Sequence, residues 1–140
     1  MIQRKHTLFF VLAALMSVAM FALAYPYESL AADRYEAFPA AVGVLSGALA
    51  AVSALAVFQF RTRSTQLRSA SVCMALAVLL LAVVAGGYAV AGDFARLQTS
   101  ARLDGWATLA LPLVALVLTW LARRGIAADI ALVRSMDRLR

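Results

Sequence analysis

The residues of this chain that could carry chemistry are few and scattered: one histidine, His6, one cysteine, Cys73, and hydroxyls such as Ser17, Ser46, Ser53, Thr108 and Thr119 set within apolar runs. A lone cysteine cannot build an intrachain disulfide, a cysteine-pair metal site or a dithiol relay. Cys73 therefore reads as a small buried residue, since free cysteine behaves as a small hydrophobe. A serine nucleophile needs a base within hydrogen-bond reach. Ser46 lies inside an apolar run while His6 lies outside the runs, on the opposite expected side, so Ser46 reads as a packing residue and His6 as an interfacial polar residue. Pumps and many transporters need ionisable groups within the membrane. The long apolar runs here contain none, so neither the first-helix carboxylate of a small multidrug exporter nor the facing histidines of a membrane cytochrome is present. No catalytic, cofactor-binding or metal-ligating residue is assigned, and no enzyme activity is expected.

The elements that would hold these residues are four apolar stretches, Thr7–Tyr25, Phe38–Phe60, Ser69–Gly92 and Trp106–Ala122, of 19, 23, 24 and 17 residues. A spanning helix needs roughly 20 apolar residues. With 64% hydrophobic and 14% charged residues in 140, and the charges gathered between the runs, lipid rather than water is the expected solvent of the helix sides. The expected fold is all-α, a single membrane domain in which four helices form a bundle. The net charge of +6 does not point to nucleic acid, because the basic residues are split into short segments beside apolar runs.

Orientation follows from the loops. Arg4, Lys5, Arg61, Arg63, Arg68, Arg123, Arg124, Arg134, Arg138 and Arg140 fall on one side of a four-crossing layout, and only Arg34, Arg96 and Arg102 on the other. The positive-inside rule then puts both termini in the cytoplasm. Tyr25, Tyr27, Tyr35, Tyr88 and Trp106 are expected at the outer boundary and Trp120 at the inner one. Pro39 suits the first turn of a helix, whereas Pro112 removes a backbone donor six residues into the fourth run, where a kink is expected. An alternative for the first run is a cleaved signal peptide, with Met1–His6 as its basic region and Ala22-Leu23-Ala24 as the cleavage site, which would leave three spans. The run exceeds the usual apolar core of about 7 to 15 residues, which favours retention.

Two patterns exceed simple insertion. Gly43, Gly47 and Ala51 repeat at four-residue spacing, and small side chains let helices approach closely, either inside this chain or between copies. After a break expected at Gly125, Ile126, Ile130, Val133, Met136 and Leu139 recur at helical spacing, with Arg134, Arg138 and Arg140 largely off that stripe. A short amphipathic helix on the anionic inner leaflet, or on a partner, fits this tail at 123–140. The plainer alternative is a basic tail that only sets topology.

The ends carry a resemblance. Met1-Ile2-Gln3-Arg4-Lys5-His6-Thr7-Leu8-Phe9-Phe10 and Ala131-Leu132-Val133-Arg134-Ser135-Met136-Asp137-Arg138-Leu139-Arg140 are similar to the ends of domain-of-unknown-function family 4293 (DUF4293), short four-span membrane proteins of Bacteroidota. The resemblance implies a bacterial inner-membrane location and the four-span layout, and supplies no catalytic residue. The expected role is an accessory subunit or assembly factor that acts by helix packing and its basic tail, with the lipid bilayer and a membrane protein or a second copy as partners. The alternative is a small oligomeric transporter or channel using Ser17, Ser53, Thr108 and Thr119.

Overall fold

The structure, a computed structural model, describes residues 3–59, 62–100 and 102–137. Four longer helices run through it: α1 (Gln3–Ala19), α4 (Ala37–Phe58), α5 (Arg63–Ala91) and α7 (Leu103–Asp137). Short helices α2 (Tyr25–Glu28), α3 (Leu30–Arg34) and α6 (Asp93–Ser100) join them, and no strand occurs among the described residues. Helix α1 packs on α4 and α7, and α5 packs on the same two, so the helices close a ring in the order α1, α4, α5, α7.

Inward positions alternate in steps of three and four: Phe10, Ala13, Ser17 and Met20 from the first run, Leu49, Ser53 and Ala56 from α4, Ala70, Cys73, Ala77 and Leu80 from α5, Ala115, Thr119, Ala122 and Ile126 from α7. That period keeps one seam facing its neighbours at a shallow crossing angle. Most inward side chains are small or polar, while large apolar ones point out, with Val44 71%, Phe58 75% and Leu103 84% exposed. Water-soluble proteins seldom expose so continuous an apolar surface. Small residues inside and large ones outside suit helices that meet in lipid, where close backbone approach rather than the hydrophobic effect holds them together.

By length and composition, α4, α5 and α7 as far as Val133 can cross a membrane. The first run differs from expectation. Its α-helix stops at Ala19, a 3-10 turn covers Met20–Ala22, and Leu23 is extended at φ −85°, ψ 131°. Pro26 has no N–H to continue the ladder, so Tyr25 and Pro26 open α2 instead. The expected polar turns are likewise short helices. Ser29 caps α3 by accepting from the Ala32 N–H at 3.2 Å, and Gly92 ends α5 in the left-handed conformation at φ 88°, giving its N–H to the Tyr88 carbonyl at 3.0 Å.

The break expected at Gly125 does not occur, because α7 runs unbroken through it and through Pro112. Gly125 serves close approach instead: a Cβ there would run into the His6 ring of α1. Contact with α1 keeps the chain helical where glycine alone would favour an end.

Candidate functional site

The helix order gathers chemistry at the two ends of the ring. At one end lie α2, α3, α6 and the start of α7. Asp93, fully buried, begins α6 immediately after Gly92. Its Oδ1 accepts from the Leu30 N–H at 2.9 Å and from the Tyr25 hydroxyl at 3.3 Å, and its Oδ2 accepts from the Ala31 N–H at 2.9 Å. One carboxylate thus satisfies the free amides at the start of α3 and ties two connections together. Tyr25 and Tyr88 meet edge to face at 5.5 Å, and Phe94 meets Tyr88 the same way at 6.2 Å. Tyr25 and Tyr88 are therefore core residues, whereas Tyr27, Tyr35 and Trp106 are exposed at this end and Trp120 is exposed toward the other. Burial pushes the Tyr25 phenol above its usual value of 10, and the Asp93 carboxylate pushes the same way. Arg102 lies over the Tyr25 ring at 5.1 Å, donates to Asp104 Oδ2 at 2.7 Å and reaches Glu28 Oε2 at 3.3 Å.

The opposite end holds the start of α1, the α4–α5 connection and the far part of α7. Gln66 donates to the Ala56 carbonyl at 3.1 Å and Ser69 to Gln59 Oε1 at 2.6 Å, which closes that connection. Arg123 reaches from α7 to Ser71 Oγ at 3.1 Å, and Arg124 lies over the Trp120 ring at 5.6 Å. His6 is not an exposed interfacial residue. Only 7% of it is accessible, because the Gly125 gap admits its ring between α1 and α7. Asp129 Oδ2 stands 3.4 Å from His6 Nε2, yet neither ring nitrogen makes a hydrogen bond among the described residues.

Between the ends, the interior hydroxyls turn back on their own helices. Ser17 donates to the Ala13 carbonyl at 2.8 Å, Thr108 to Asp104 at 2.8 Å and Thr119 to Ala115 at 2.9 Å. Ser53 meets Cys73 Sγ at 3.5 Å, both buried, while the Ser46 hydroxyl is buried without a partner among the described residues. Gly43 and Gly47 face the Phe21 ring, with a built Cβ 3.8 Å from it at either position, and Ala51 is exposed. Beside them, Val11, Leu15, Val18, Val57 and Phe58 line an apolar groove of about 280 Å³ between α1 and α4.

The expected tail surface divides. Ile126 is buried against the core and Ile130 packs on it, while Leu132 and Val133 are exposed. Arg138, Leu139 and Arg140 lie outside the described residues, as do the side chains of Arg134 and Met136. From sequence, Asp93, Asp129 and the close-packed Gly105 carry no assignment, and Gly125 reads as a helix break rather than as a point of close approach. A signal existed only for Asp93, which directly follows the glycine that ends an apolar run.

Fold and ends together define an all-helical protein with three helices long and apolar enough to cross a membrane. Within that class, the chain belongs to the family described as Domain of unknown function (DUF4293), whose model matches residues 2–139. No match was found among curated proteins or among solved structures.

Proposed function

We propose that this chain is a non-catalytic inner-membrane protein that works by association, as an accessory subunit or assembly factor, with the far part of α7 as its contacting element. In this reading α1 joins the three longer helices to make four crossings, and both termini are cytoplasmic. The observation that carries it is the reach of α7. At 1.5 Å per residue its 35 residues extend about 52 Å, against about 33 Å for α4 and a hydrocarbon layer of about 30 Å. The excess leaves exposed Leu132 and Val133 at the basic end, where anionic headgroups or an acidic partner would meet them. The inward hydroxyls that bond their own carbonyls support packing rather than transport.

The test has two parts. Reporters active only outside the cytoplasm should work when inserted within 28–36 or 96–102 and fail after Arg63 or Arg140; an externally active fusion at Arg140 would overturn the four-crossing layout. Cutting the chain after Asp129 should leave insertion intact and abolish any stoichiometric complex recovered from native membranes. A truncated chain that keeps the whole complex would move the function into the helices. The second reading, a small oligomeric transporter, is favoured by one observation: Ser17, Ser53, Thr108 and Thr119 all face the interior. It requires a homo-oligomer with solute flux in reconstituted vesicles.

A further inference from the structure

We infer that His6 and Asp129 form a proton-controlled latch that holds the far part of α7 against the start of α1. Three independent features meet at this point. The imidazole is more than nine-tenths buried, its two nitrogens lack hydrogen-bond partners among the described residues, and an acidic oxygen stands 3.4 Å away. To these is added Gly125, which sits in the middle of a helix where alanine would be the better helix former, and whose missing Cβ is the space the ring fills.

A buried ring with no hydrogen bond and a carboxylate beside it is poorly served when neutral. Protonation changes that, because the imidazolium supplies the charge that Asp129 lacks as a partner in the seam, and imidazole is the side chain that changes charge between pH 5 and 8. Among the described side chains, no competing charged group faces it from the helices packed on α1. Helix α4 carries no titratable residue along its whole length. On α7 the described neighbouring cations point elsewhere, Arg123 to Ser71 and Arg124 to Trp120, which leaves the Asp129 carboxyl as the group beside the ring; the side chain of Arg134 lies outside the described residues. Arg4 and Lys5 precede His6 on α1 itself and are its nearest like charges in sequence. Acidification closes the latch, and a neutral ring releases the segment beyond Gly125. This inference rests on the proposed function only for what the released segment would then contact.

The chain contains a single histidine, so one imidazole resonance reports the protonation directly. The test uses the full chain in zwitterionic nanodiscs, with Cys73→Ser as background and spin labels at Leu8→Cys and Leu132→Cys, two exposed positions flanking the latch. A single short distance at pH 5 should broaden or lengthen by pH 8, with a midpoint matching that of the His6 resonance. Asp129→Asn, a conservative change at a partly exposed site, should remove the pH dependence. Gly125→Ala should open the latch at both pH values although it favours helix. A distance that does not change between pH 5 and 8, a midpoint unrelated to His6, or a pH dependence that survives in Asp129→Asn would each overturn the latch. Loss of the proposed complex on truncation is a separate result and is untouched by any of these.

Discussion

Replacing Asp93 by alanine tests whether the end formed by α2, α3 and α6 is an integral part of the fold or only a covering. The carboxylate accepts two backbone N–H groups at 2.9 Å and the Tyr25 hydroxyl at 3.3 Å, and is fully buried. Hydrogen bonds to a charged group contribute about 1.5–3 kcal/mol each, and the Ala31 N–H would be left buried without an acceptor. Relief from burying a carboxylate offsets part of this, leaving a net loss of about 2–4 kcal/mol. At about 3–4 °C per kcal/mol for a chain of this size, Asp93→Ala should melt roughly 6–16 °C lower. Asparagine should cost less, about 1–2 kcal/mol, because its carbonyl can still accept from Ala31 and its amide can donate to the Tyr25 oxygen. Cys73, the one cysteine and fully buried, supplies the assay: a thiol-reactive fluorogenic dye reports opening of the helical ring during heating in detergent. If the alanine variant melts within about 2 °C of the parent, the capping argument is wrong. An asparagine variant as damaged as the alanine one would show that charge, not the cap, matters.

Two further outcomes follow from the same geometry. Gly86 and Gly87 are adjacent in α5, yet a Cβ meets nothing within 4 Å at Gly86 and collides with the Phe38 ring at Gly87. Gly86→Ala should therefore be neutral or stabilising by up to about 1 kcal/mol, and Gly87→Ala should destabilise by about 1–3 kcal/mol in the same dye assay; equal effects would contradict the packing of Phe38. Tyr25 has its pKa raised above 10 by burial and by Asp93, so its contribution is fully present below pH 10 and is lost as pH rises through the higher folded value. Melting temperatures measured from pH 9 to 11 should fall more steeply for the parent than for Tyr25→Phe, and parallel curves would refute the shift.

Much of the helical layout was legible in the sequence because lipid imposes a simple rule on it: long uncharged runs and charged connections mark helices without reference to any partner. Helices α4, α5 and α7 lie where three of those runs lie. Cys73 could be read as buried from its type alone, and it is. Turn chemistry was less legible. The stretches around Glu28 and Arg96 look like polar loops, and only the packed structure shows that they coil into α2, α3 and α6 around the Asp93 carboxylate.

The glycines and His6 mark the boundary between what sequence alone determines and what requires tertiary structure. A glycine after an apolar run ends a helix when nothing opposes it, as at Gly92, where the left-handed conformation is a local property of one residue. Gly125 carries the same local signal and does not end α7, because the His6 ring from a residue more than a hundred positions away occupies the space beside it. That pairing has no trace in the local pattern: His6 reads as an interfacial residue and Asp129 as one acid within the tail, and they become neighbours only when antiparallel α1 and α7 close the ring. Hydropathy determines where the chain becomes helical. Which polar groups share a buried seam depends on the register in which those helices meet, and that is set by side-chain volumes on both partners at once.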